Sequence, residues 1–379
     1  MTLLRSNLIQ FILIDIKIAY INFVFLKLIN YILGYLLKKK PFKDNILNSM
    51  TTTNNSIIEP VSSDILPKIH RKTDFKLSSL VSVDQLNAQA IEHIFVRARN
   101  IKDQPIKYNK LAKGKIMYSL FFTNSTRTRF STETAWVRLG GTTITMDGAG
   151  STSIAKGETM EHTIKMFAGY EPDFIAIRSQ EAFLPHYGCI NYPEISWVNC
   201  GDGSNEHPTQ AMLDLFTIKE KFDDISKVKI AFVGDMKYGR TIKSLAKVLS
   251  LYNVEMSFVA PDSLHAKQEL EAAGIKYDAY DIDKLAQVVQ NVDIVYCCRP
   301  QVERMSKEDK AKYENGVYQL DLKTMGDSKA LIMHPLPINS ATFPEISPEL
   351  DNDPRSIYFE QAANGLWTRM AIFTLLMGI

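Results

Sequence analysis

Downstream of Asp74 the chain alternates short apolar runs with longer stretches of helical spacing. Unbroken runs bounded by turn residues mark strands buried on both faces, and apolar positions recurring every three or four residues mark amphipathic helices. The runs fall at 116–122, 142–146, 174–177 and 197–199, then at 228–234, 254–260, 294–297 and 331–333. Helical spacing covers 159–169, 209–222 and 241–251, and 365–377 reads as a closing helix. Short buried strands separated by helices build parallel sheets. Two such series predict an α/β chain with two doubly wound parallel-sheet domains. The first is placed at 74–207, completed by a C-terminal helix over 360–379, and the second at 208–354. The break is set near His207-Pro208, because the loop Gly201-Asp202-Gly203-Ser204 precedes a helix start there.

Residues 1–63 form an N-terminal extension of another kind, rich in Ile, Leu, Asn, Lys and Phe. Residues 18–37 are apolar apart from Lys27 and a few Asn and Tyr, and Lys38-Lys39-Lys40 follows. A stretch of about 20 residues is long enough to span a bilayer. Lys27 would then lie near its centre, and Asp15 and Lys17 interrupt the apolar sequence upstream. Three readings stay open: a signal anchor or targeting segment, an amphipathic surface helix, or a poorly ordered extension. Localisation is accordingly cytoplasmic, or organellar or membrane-associated through this segment. Residues 48–63, rich in Thr, Ser and Asn, read as a linker.

Composition narrows the partners. The net charge of +2, from 44 basic against 42 acidic residues, gives no sign of a nucleic-acid-binding face. The cysteines Cys189, Cys200, Cys297 and Cys298 make no C-x-x-C pair and sit near no His at zinc-ligand spacing. They read as small buried thiols in a reducing compartment, so no metal is expected.

Candidate chemistry begins at Ser125-Thr126-Arg127-Thr128, where the run 116–122 gives way to helical spacing ended by Gly140-Gly141. A strand-to-helix turn offers backbone N–H groups and the positive end of a helix dipole to an anion. Arg127 adds a planar fork suited to phosphate oxygens. An ordinary N-cap with solvated arginines would share this spacing. No G-K-[ST] is present, so the turn is not a Walker loop. Arg178 follows a strand directly, at the end where doubly wound sheets bind ligands. His207 precedes Pro208 at a helix start, where the dipole favours a neutral imidazole able to donate to a developing oxyanion. A purely structural histidine would look the same. Lys156 lies in the small polar loop 151–157, which is free to move and to carry function. Arg240 and Arg299 follow strands of the second series, and 234–240 lacks the G-x-G-x-x-G spacing of a dinucleotide turn.

Ser-Thr-Arg-Thr-Arg after Phe121-Phe122 resembles the carbamoyl-phosphate signature of the aspartate and ornithine carbamoyltransferases. The resemblance runs from about residue 80 to 378. It takes in Lys156-Gly157-Glu158-Thr159, His207-Pro208-Thr209-Gln210, Tyr238-Gly239-Arg240-Thr241, Arg299-Pro300-Gln301-Val302-Glu303-Arg304 and His334-Pro335-Leu336-Pro337 in order. It implies the two-domain carbamoyltransferase fold, no cofactor and no metal. Carbamoyl phosphate would be bound by Ser125, Thr126, Arg127, Thr128, Arg178, His207, Gln210, Leu336 and Pro337. Thr128, Arg178 and His207 would be the catalytic set, polarising the carbamoyl carbonyl. Lys156, Arg240, Arg299 and Gln301 would bind the amino acid. The family's mobile loop reaches the adjacent subunit's site, so Thr152, Ser153 and Lys156 would act across an interface in a homotrimer.

Pro335 stands where ornithine enzymes typically carry cysteine, and their Ser-Met-Gly motif is absent. The implied reaction therefore joins carbamoyl phosphate to L-aspartate, giving N-carbamoyl-L-aspartate and phosphate, the second step of pyrimidine synthesis. A carbamoyltransferase for another amine and a non-catalytic binding paralogue are the rivals. Thr123 departs from the family, which usually has a domain-bridging Glu there with Arg240 and Arg304 as partners. No regulatory chain can be read from the residues.

Overall fold

The computed structural model describes residues 77–148, 153–301, 306–314, 319–339 and 344–379. The readings for the extension 1–63, for Thr152 and for Arg304 lie outside the described residues.

Two parallel sheets form the framework. The first holds β1 (Ile116–Phe121), β2 (Thr142–Asp147), β3 (Phe174–Ser179) and β4 (Ser196–Asp202), in the order β2-β1-β3-β4. The second holds β5 (Lys229–Val233), β6 (Glu255–Val259), β7 (Asp278–Tyr280), β8 (Ile294–Cys297) and β9 (Leu331–Met333), in the order β7-β6-β5-β8-β9. The helices of the first series are α1 (Ala88–Asp103), α2 (Thr126–Arg138), α3 (Met160–Ala168), α4 (Leu184–Asn191) and α5 (Pro208–Lys221). After them come α6 (Arg240–Ser250), α7 (Lys267–Ala272), α8 (Leu285–Val289), α9 (Lys307–Glu314), α10 (Leu322–Met325) and the closing α11 (Tyr358–Leu376).

The apolar runs arise because both faces of most strands are buried. Along β1, Met117 and Phe121 enter one core cluster while Tyr118 and Leu120 enter another. Along β5, Ile230 and Phe232 face one cluster, and Ala231 and Val233 the other. Successive side chains point to opposite faces, so burial on both sides removes the polar alternation a half-exposed strand would show. The cluster holding Phe121 and Phe232 also takes Met370 and Phe373 of α11, so a single core runs through both lobes. Helix α11 packs on α1, α2 and α5, and α5 packs on β4 and α6.

Three details differ from the sequence expectations. β2 was expected to be buried, yet it is exposed or half-buried along its length, because it is the edge strand of its sheet. β7 has only three residues, all at least partly exposed, and so has no apolar run to betray it. α11 begins seven residues before the expected Gly365, its first turn carrying Tyr358 and Gln361 into the core.

The strand orders decide where a ligand can sit. Connections from β1 run outward to β2 and then back across to β3, and in the second sheet β6 and β8 flank β5 on opposite sides. A crevice opens beyond the carboxyl ends of the strands where the order reverses. Those ends carry Thr123, Arg178, Asp235 and Arg299.

Candidate active site

A cavity of about 490 Å³ occupies that crevice. Its described lining includes Arg127, Arg178, Arg240, Arg299 and Arg369 and holds no Asp or Glu. A concave surface of one sign focuses its field on a ligand of the other, so the site selects anions.

The strand-to-helix turn after β1 supplies one wall. Ser125 is the N-cap of α2 but makes no side-chain cap bond, so its hydroxyl is not spent on the helix as an ordinary cap would be. Arg129 pairs with Asp147 and approaches Glu133, which leaves Arg127 as the signature's arginine at the cavity. Partial burial lowers the Arg127 pKa, while much of the side chain stays open to solvent.

Arg178 reaches the same space from β3. Its Nε donates to Thr123 Oγ1 at 3.2 Å and its Nη1 to the Cys200 carbonyl at 3.2 Å. Burial and then Arg240 push its pKa down to about 9, with Arg127 adding and Cys200 opposing. It therefore remains a cation at neutral pH. Gly201, at φ +112°, makes room for it: a Cβ there would meet Arg240 Cζ at 3.0 Å and Arg178 Nη1 at 3.1 Å. Only glycine tolerates both that backbone and that approach.

His207 caps α5 and is buried. Its Nε2 lies 3.4 Å from Thr128 Oγ1 and its Nδ1 3.5 Å from Thr209 Oγ1, which itself accepts from Arg369 Nη2 at 3.3 Å. Its pKa lies well below 6.5 through burial first, then Arg240, Arg178 and Arg369. The direction favours the neutral imidazole that the sequence suggests, with burial and three guanidiniums as its causes.

Gln210 donates its Nε2 to Asp214 Oδ1 at 2.8 Å. A carboxylate only accepts, so the amide NH2 must face Asp214 and the carbonyl oxygen is turned the other way. Gln361 of α11 does likewise, donating to Asp214 at 2.6 Å while its oxygen accepts from the His334 N–H at 2.9 Å. Tyr296 donates to the second Asp214 oxygen at 2.8 Å. The loop after β9 is held from within: the Leu336 N–H donates to His334 Nδ1 at 2.7 Å, and His334 Nε2 lies 2.8 Å from Glu345 Oε1. Leu336, at φ +55°, and Pro337 line the cavity.

The second lobe closes the other side. Asp235 accepts from the Tyr238 N–H at 2.9 Å and the Gln301 N–H at 3.1 Å, and Gln301 Nε2 donates to the Tyr238 carbonyl at 2.5 Å. Arg240 Nη1 donates to the Gly203 carbonyl at 2.5 Å across the crevice. Ser153 and Lys156 lie on a short exposed turn and do not line this cavity, so the chain does not bring them to the other candidates. Among the described residues no group of three or more His, Cys, Asp or Glu gathers as a metal site.

Sequence reasoning missed Arg369, Asp214 and Gln361. Arg369 did leave a signal, as a lone cation within an apolar helical stretch, and it is buried with its Nε unpaired.

Two family models match the chain. One described as the aspartate/ornithine carbamoyltransferase carbamoyl-P binding domain matches residues 78–220, and one described as the Asp/Orn binding domain matches 226–376. The chain belongs to the aspartate/ornithine carbamoyltransferase family. Among carbamoyltransferase relatives, the aspartate carbamoyltransferase catalytic subunit of Methanobrevibacter smithii is 38% identical over 312 residues, 80% of this chain and 96% of that one. That of Thermococcus onnurineus is 38% identical over 81% of this chain and 99% of its own. The catalytic subunit of M. jannaschii aspartate transcarbamoylase superposes with a TM-score of 0.70 at 38% identity, covering 79% of this chain and 98% of the other. The Trypanosoma cruzi aspartate transcarbamoylase in complex with N-(phosphonacetyl)-L-aspartic acid gives 0.69 at 30% identity, covering 83% and 99%.

Proposed function

We propose that the chain transfers the carbamoyl group of carbamoyl phosphate to the amino group of L-aspartate, releasing N-carbamoyl-L-aspartate and phosphate. The observation that carries this reading is the acid-free cavity with five arginines around a neutral His207. Such a site suits two anionic substrates and a carbonyl that must become more negative. A relative at 30% identity supports it, since the T. cruzi enzyme has been solved with carbamoyl phosphate and aspartate.

The geometry supports a role for each candidate. Ser125, Thr126, Arg127 and Thr128 hold the phosphate at the turn before α2. Thr128, Arg178 and His207 donate to the carbamoyl oxygen, which gains charge as the amine attacks. Gln210, oriented by Asp214, and Leu336 in its held loop accept from the carbamoyl NH2, with Pro337 shaping the wall. Arg240 and Arg299 take the two carboxylates of aspartate as forked partners, and Gln301 orients its amine. The uncharged amine forms the new C–N bond, the C–O bond to phosphate breaks, and the departing phosphate accepts the proton from nitrogen. Fixing both reactants contributes about 7–11 kcal/mol of the barrier.

Lys156, Ser153 and Thr152 act from a neighbouring chain in a homotrimer. Supporting this, the apolar side chains of Phe130 and Val137 on α2 and Ile144 on the edge strand β2 are 55%, 57% and 53% exposed. No helix among the described residues is long and apolar enough to cross a membrane. The four cysteines are free and buried, which suits the cytoplasm or another reducing compartment. Incubating the purified chain with carbamoyl phosphate and L-aspartate should release phosphate and N-carbamoyl-L-aspartate in equal amounts. Turnover with L-ornithine in place of L-aspartate, or phosphate release without a carbamoylated amine, would refute the reading.

A further inference from the structure

Helix α6 presents a row of residues to the first lobe that lies partly outside the cavity. Arg240, its first residue, donates to the Gly203 carbonyl. One turn on, the Ser244 hydroxyl accepts from the His207 N–H at 3.0 Å. A further turn on, Lys247 Nζ meets Glu206 Oε1 at 2.8 Å and Asp84 Oδ2 at 2.9 Å. Positions four and seven residues after the first share one face of a helix. All three grip the short segment from Gly203 to His207, which leads into α5. Glu206 is held from the far side as well, its second oxygen accepting from the Val83 N–H at 2.8 Å.

These contacts decide where the imidazole sits. His207 and Ser244 are both buried, so water does not replace their bond when it is lost. The backbone N–H that Ser244 holds belongs to the residue whose ring stands 3.4 Å from Thr128. We infer that Ser244 and Lys247 are positioning residues for His207, and that α6 couples the arginine that grips the amino acid to the imidazole that faces the carbamoyl oxygen. The inference rests on the proposed role of His207. It adds that the two halves of the site are aligned by one rigid helix, so that engagement of Arg240 by a carboxylate is felt at His207.

A double-mutant cycle tests it. Ser244→Ala should lower kcat about tenfold, the scale of one lost buried hydrogen bond, with KM for aspartate within about twofold of wild type. His207→Ala alone should lower kcat by about 10²-fold or more. Adding Ser244→Ala to His207→Ala should then change kcat by less than about twofold, because the group that Ser244 positions is gone. A bond that merely fastens the lobes would cost the same factor in both backgrounds, and that result would overturn the inference. Lys247→Met keeps most of the side-chain volume, leaves Ser244 in place and should show the same dependence on His207 with a smaller loss. Full kcat in both single variants would equally overturn it. Wild-type chain in the same assay keeps the two claims apart: no carbamoyl aspartate there counts against the proposed function, whereas additive losses beside an active wild type count against α6 alone.

Discussion

Single residues in this site are governed by what surrounds them. Asp214 shows how sharply. It is buried, and burial pushes its carboxyl pKa up to about 6 despite the bonds it accepts from Gln361, Tyr296 and Gln210. A carboxyl whose folded pKa lies above its unfolded value of 3.8 adds stability below about pH 4 and loses it as the pH rises through about 6. Asp214→Asn does not ionise. Its stability relative to wild type, read as a difference in melting temperature, should therefore improve from pH 4.5 to about 6 and level off above that, by an amount on the order of 2 kcal/mol. Differential scanning calorimetry across that range would show it, and a gap that stays constant with pH would count against a buried charged Asp214. His207 has the opposite sign. Its lowered pKa means that its neutral form is present well below pH 6.5, so the ring brings no charge change of its own near neutrality.

At the scale of elements, the edge of the first sheet is the informative one. β2 pairs with β1 along one side, and its side chains stay exposed or half-buried. Exposed edges and apolar patches are normally blunted or covered, since they invite association. On the proposed assembly that cover is a second copy. Ile144→Asp should therefore leave the single chain folded, because Ile144 is already exposed and makes little of its core. Sedimentation should show the variant shifted from trimer toward single chains, with activity falling in step. A variant that stays trimeric and active would exclude this edge as the interface.

The whole molecule sets how the site is shared. Ser153 and Lys156 stand away from their own chain's cavity, whereas Arg127 lines it. If a neighbour's loop completes each site, Lys156→Ala and Arg127→Ala chains are each inactive by themselves, yet their mixture contains sites that lack neither side chain. Mixing the two under conditions of proven subunit exchange should restore a fraction of wild-type activity, up to about one quarter for random assortment of two defects falling on different chains. An inactive mixture would show that each chain works with its own Lys156. Thr123 belongs to the same scale. In this structure it accepts from Arg178 at 3.2 Å, and a neutral hydroxyl at that position gives the arginines no charge to close upon.

Much of this was legible along the chain because it depends on local spacing. Apolar runs marked every strand of both sheets except β7, helix-start signals located Ser125 and His207, and arginines at strand ends marked Arg178, Arg240 and Arg299 as candidates. The residues that tune these groups were not legible. Asp214, Gln361 and Arg369 act across 147 and 160 residues of sequence through bonds that exist only once α11 packs on α5. The same holds for Ser244, whose partner His207 lies 37 residues away. Secondary structure follows from interactions a few residues long, so the sequence by itself determined the elements and the residue types at their ends. Ionisation, amide orientation and ring placement depend on which distant groups exclude water together, and only the tertiary structure decided those.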